Sequence, residues 1–138
     1  MSNAVRGIES AKMSGIQNFV AAGKKWGLKF GTNEVALAQE KTATNVMEIQ
    51  VGMATGNLII VRALFWAGVH GWFRRTKRPG NPPSMIEIGD MMDEIGMKKV
   101  VELVGNAFQA AFPTEGEQEE AELDNEGADA GETEPAPS

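Results

Sequence analysis

Few residues in this 138-residue chain could do covalent chemistry. There is one histidine and no cysteine. A cysteine–histidine pair is therefore impossible, and cysteine–zinc and disulfide frameworks are excluded. A serine–histidine–carboxylate site would have to use His70, which falls inside the most apolar run of the chain, NLIIVRALFWAGVHGWF. There a histidine packed or bonded near a helix end is the plainer reading. Asp90, Asp93 and Glu94 offer hard oxygen donors at helical spacing and could gather a cation. The same spacing describes a solvated helix face, and that reading is preferred. Gly23, Gly27 and Gly31 recur every four residues but lack the strand–turn–helix setting of a phosphate loop. They read as turn and strand-edge glycines. The expectation is a non-enzymatic protein with no catalytic set, no cofactor and no metal.

What remains is the chemistry of contact. Arg74, Arg75, Lys77 and Arg78 follow Trp72 and Phe73 directly, in a run, RRTKRPGNPP, that proline and glycine mark as an exposed loop. Cations beside aromatics resemble a nucleic-acid contact. A single cluster without a second basic stripe reads more plainly as a solvated loop, so a nucleic-acid-associated regulator using residues 74–78 is the alternative reading. Charge is divided unevenly. Ten of the 19 acids lie between Glu115 and Glu134, where there is no Lys or Arg, so residues 1–112 hold nine acids against 13 bases. A net charge of −6 thus conceals a moderately basic body that can attract its own acidic segment or a charged partner.

The elements that position these residues follow from periodicity. In the central run Leu58, Val61, Phe65, Val69 and Trp72 share one helical stripe, Ala63 and Ala67 form a small-residue face, and Arg62 lies four before Trp66, where its guanidinium could meet the indole. The run is shorter than the roughly 20 apolar residues of a bilayer span and carries Arg62, so a core helix is expected. A peripheral membrane protein lying on Leu58–Phe73 is a third reading. Before it, Trp26, Leu28 and Phe30 alternate with Gly27 and Lys29, predicting a strand of a short hairpin turning at Gly23-Lys24-Lys25. Thr32 or Asn33 can cap a helix through EVALAQEK, and Asn45 with Glu48 forms a capping box opening VMEIQVGM. Ser84 with Glu87 is a second box, starting a helix with Met85, Ile88, Met92 and Ile95 inward and Met91 off the stripe. Gly96 ends it, and a last helix over 97–112 buries Val100, Val101, Val104, Ala107, Phe108 and Ala111. The expected architecture is mainly α (α+β): four or five helices over residues 16–112 with an N-terminal hairpin, a flexible start over 1–15, and an acidic segment over 113–138 too poor in apolar residues to order itself.

The order of these pieces resembles a known family. GKKWGLKFGTNEVALAQEKT is similar to a strand entering a first helix, and LIIVRALFWAGVHG resembles the central helix of the tail assembly chaperones of long-tailed phages and gene transfer agents. A proline-bearing loop, a short helix of the type IEIGDMMDEIG and a closing helix like MKKVVELVGNAFQAAF complete the pattern over residues 23–112. The resemblance implies an interaction protein of the host cytoplasm, absent from the finished particle. It would bind the long helical tape measure protein, and secondarily the tail tube protein, while the tube polymerises. It also implies a homo-oligomer with neither nucleic acid nor membrane as partner, and the shorter of two forms made by ribosomal frameshifting. The family has no compact site motif. From position alone, Trp72, Phe73, Arg74, Arg75 and Met91 are the expected partner contacts.

Overall fold

The computed structural model describes residues 15–113. They form a hairpin and five helices: β1 (Gln17–Ala21), β2 (Lys24–Leu28), α1 (Thr32–Thr42), α2 (Val46–Thr55), α3 (Leu58–Thr76), α4 (Met85–Ile95) and α5 (Met97–Ala111). The expected mainly α architecture with an N-terminal hairpin is the one observed. The expectations for the flexible start and the acidic segment lie, apart from Gly15 and Pro113, outside the described residues.

In the hairpin Phe19 faces Trp26 and Ala21 faces Lys24. Its two-residue connection, Ala22-Gly23, has φ of 53° and 71°. Two successive left-handed residues make the primed turn whose twist matches that of the strands. The turn thus falls earlier than the expected Gly23-Lys24-Lys25, and both lysines belong to β2. Ala22 holds its left-handed conformation with help from α4, since its N–H donates to Glu94 Oε1 at 2.9 Å. Phe19, Ala21, Leu28 and the following Phe30 are buried against the helices.

The helix starts follow their caps. The Asn45–Glu48 and Ser84–Glu87 boxes both close reciprocally, with bonds of 2.8–3.2 Å. Asn57 caps α3 by accepting from the N–H groups of Ile59 and Ile60. Helix α1 differs from expectation: its N-cap is Gly31, not Thr32 or Asn33. A Cβ at Gly31 would stand 2.5 Å from the Arg75 guanidinium, so a larger residue there would displace that cation from its place.

Helix α3 is the axis of the molecule, in contact with both strands' layer and all the other helices. Val61, Leu64, Phe65, Ala67 and Val69 are fully enclosed. The predicted stripe is correct for Val61, Phe65, Val69 and Trp72 but not for Leu58, which is 63% exposed. Leu58 sits on the first turn, where α2 meets α3 at a bend of 109° and the chain folds away from it. The predicted small-residue face is buried at Ala63 and Ala67, and it extends to Gly68 and Gly71. The backbone after β2 crosses the helix at those glycines. Lys29 N–H donates to the Gly68 carbonyl at 3.0 Å, and a Cβ at Gly71 would collide with the Lys29 carbonyl oxygen.

Helix α3 also continues to Thr76, so Arg74 and Arg75 are its last turn and not loop residues. Cations are favourable there, where the unpaired carbonyls concentrate negative potential. The break comes at Lys77, left-handed with φ 53°. The hairpin packs directly on α3; α4 touches both α3 and β1, and α5 closes against α3, α4 and the hairpin. In α5 Val100, Val104, Ala107 and Phe108 are buried as expected; Leu103 joins them, while Val101 and Ala111 are only partly covered.

Candidate functional site

Three of the five predicted contact residues are structural. Trp72 is 4% exposed. Its indole lies over β2 at Gly27, where a Cβ would be 2.5 Å from the ring, so this glycine is a seat for the indole and not a strand-edge residue. Phe73 is half-buried edge-on to Trp72 at 5.4 Å and also faces Trp26. Met91 is buried as well, because α4 is covered by the hairpin on one side and α3 on another, so a residue off the main stripe still meets protein. None of these three is an open partner-facing group. The stripe proposed to lie on a membrane is likewise enclosed from Ile60 to Trp72 apart from half-buried Arg62 and His70. No single described helix is long and apolar enough to cross a bilayer.

Arg74 and Arg75 converge on Glu34, the one buried charged residue among those described. Arg74 Nη2 and Arg75 Nη2 each donate to a different carboxylate oxygen at 2.8 Å. Arg75 Nη1 also reaches the Lys29 carbonyl at 3.2 Å. Burial is the largest influence on the Glu34 carboxyl and pushes its pKa up. The two guanidinium hydrogen bonds and the Arg75 charge together outweigh it, and the pKa lies below its ordinary value. Lys29 is lowered, chiefly by burial and then by Arg75, with Glu34 acting in opposition. The cluster ties α1 to the end of α3 and halves the free charge of the predicted basic loop. Lys77 and Arg78 remain outward, Arg78 with its guanidinium 4.2 Å from the Trp72 ring centre.

The other candidates resolve similarly. His70 places Nε2 3.2 Å from the Pro83 carbonyl, which can only accept, so Nε2 carries the proton and the bond fastens the loop before α4. Its ring lies 4.6 Å from that of Trp66, tilted by 49°. Trp66 meets the Lys41 ammonium at 5.2 Å instead of the expected Arg62. Glu94 is engaged by the hairpin turn, and among the described residues no three histidine, aspartate or glutamate side chains gather where a metal could be held.

The accessible apolar surface lies elsewhere. Met47 (68% exposed) and Val51 share one face of α2, one turn apart, and Val46 precedes them. Beyond the α2–α3 corner come Leu58 and Ile59, and across a shallow groove of about 590 Å³ stands Ile86 (72% exposed) on the first turn of α4. Met92 and Met97 contribute to its floor, and Arg62, Asp90 and Asp93 to its rim. Periodicity placed Leu58 inside and gave Ile86 no role. The signal that could have found them is position: Leu58, Ile59 and Ile86 all sit in first turns, directly after a cap, where packing neighbours are fewest. No protein-family profile, no curated protein and no solved structure matches this chain.

Proposed function

We propose that this chain is a non-enzymatic tail assembly chaperone that keeps a tape measure protein soluble by covering its apolar helical stripes. The observation that carries the reading is the set of exposed aliphatic side chains across the α2–α3 corner and the start of α4: Val46, Met47, Val51, Leu58, Ile59 and Ile86. Large aliphatic groups grouped around a groove with a charged rim suit an amphipathic helix laid across them. The resemblance over residues 23–112 supplies the partner's identity. Self-association of the chaperone, the tail tube protein as a second partner and a place in the host cytoplasm belong to the same proposal. The alternative of a nucleic-acid regulator has less support, because two of its four cations are bound to Glu34.

The test is co-expression with the long helical protein encoded downstream. The wild-type chain should hold that protein in the soluble fraction, and a Leu58→Gln, Ile59→Gln, Ile86→Gln variant should do so poorly while remaining folded. A partner that is equally soluble alone overturns the chaperone reading. A triple variant as active as wild type overturns this surface.

A further inference from the structure

A second groove, of about 460 Å³, lies on the outer face of the hairpin. It is lined by Ile16, Asn18, Lys25, Trp72, Thr76, Lys77, Arg78 and Pro79. Three cations and no carboxylate line it. Lys25, Lys77 and Arg78 make no ion pair among the described residues, in contrast to Arg74 and Arg75 one turn earlier. The groove exists because Gly27 lets the Trp72 indole lie across β2 as a floor, with Arg78 over it.

The end of α5 reaches the same region. A Cβ at Gly15, one residue before the Ile16 wall, would stand 3.2 Å from the Ala110 methyl and 3.0 Å from the Lys29 ammonium. Phe108, two residues before Ala110, packs edge-on to Phe30. Pro113 therefore leaves the body within a few residues of the groove's wall. The sequence that follows, TEGEQEEAELDNE, has carboxylates at 115, 117, 119, 120, 122, 124 and 126 and no cation. At about 3.4 Å per extended residue, Glu117 can be carried some 14 Å from Pro113 and Glu122 some 30 Å, enough to cross the groove.

We propose that the acidic segment beginning at Glu115 docks on the Lys25–Lys77–Arg78 groove of its own chain, shielding these cations from other polyanions. The attraction is between many like carboxylates and three unpaired cations, so it needs no regular structure in the segment and is screened by salt. It is independent of the apolar surface and of the chaperone reading.

The chain has no native cysteine, so Ala121→Cys in the full-length protein carries a single nitroxide spin label. At low ionic strength the label should strongly attenuate the amide signals of Asn18, Lys25 and Lys77 while leaving those of α2. The attenuation should be lost in 0.5 M salt and in a variant with Glu115, Glu117, Glu119, Glu120 and Glu122 all changed to Gln. Lys25→Glu with Lys77→Glu, both exposed, should abolish it too. A short single-stranded oligothymidylate should shift the same amides at lower concentration in the Gln variant than in wild type. The proposal is overturned by any of four results. They are no attenuation, attenuation equal in wild type and Gln variant, attenuation passing from labelled to unlabelled chains in a mixed sample, or equal oligonucleotide binding by wild type and the Gln variant.

Discussion

At the scale of single residues, Glu34 is the most consequential polar group described. Its carboxylate is buried, and two guanidinium groups depend on it. Removing one partner of a buried pair costs about 3–5 kcal/mol, but Arg74 is half in water and its share is smaller, so Glu34→Ala should destabilise by roughly 2–3 kcal/mol in chemical denaturation. The pH dependence has a definite direction. Because the folded pKa of Glu34 is depressed, its contribution is complete above the ordinary glutamate range. It is lost as pH falls from that range through the lower folded value. Comparing urea midpoints of wild type and Glu34→Gln, the gap should be wide at neutral pH and close in acid. Gly71 makes the complementary point about close approach. With the Lys29 carbonyl in the place of its missing Cβ, Gly71→Ala should cost about 1–3 kcal/mol through forced backbone movement, read as a lower melting temperature.

Elements here are delimited by their caps more than by their stripes. Both capping boxes written in the sequence are made, and Ser84→Ala should lower stability by about 0.5–2 kcal/mol, with amide exchange accelerated first in the opening turn of α4. An unchanged melting temperature would mean that α4 is held by packing alone. Burial within an element is a different matter. Helix α4 shows a strong apolar stripe, yet Met91 off that stripe is buried, because the hairpin covers a second side. Helix α3 is apolar nearly all round and is correspondingly enclosed by its neighbours from Ile60 to Trp72, with Arg62 and His70 half-buried, its first turn and its cationic last turn lying at the surface. The open first turn is what leaves Leu58 and Ile59 exposed.

For the molecule as a whole, the core and the surface proposed for interaction are separate. The aromatics Phe19, Trp26, Phe65, Trp72 and Phe73 join the hairpin to α3, while the exposed large apolar groups are aliphatic and, apart from Val20 on β1, lie around the α2–α3 corner and the start of α4. Replacing the latter should therefore be cheap for folding. Each of Leu58→Gln, Ile59→Gln and Ile86→Gln should shift stability by no more than about 0.5 kcal/mol, while the triple variant should, under the proposed function, fail to hold the proposed partner in solution. A cooperative unfolding transition retained by the triple variant separates loss of contact from loss of fold. Trp72→Ala, by contrast, should cost about 3–5 kcal/mol, as a buried aromatic does, so it reports on the fold and not on a contact surface.

Local interactions were legible in the sequence because they are made by neighbours. Asn45 reaches Glu48, Ser84 reaches Glu87, Trp26 and Leu28 alternate, and the period of Val61, Phe65 and Val69 needs no distant residue. The number of helices, the hairpin and the central place of α3 follow from such short-range chemistry. The fate of Trp72, Met91 and Leu58 does not, because burial depends on which element packs over a given turn. Sequence position put Trp72 beside an exposed loop, but Gly27, 45 residues away in the chain, opened a seat for it. The Arg74–Arg75 pair read as free charge until the chain brought Glu34 within 2.8 Å of both. A cation's availability is set by the field around it, and that field is assembled by tertiary packing.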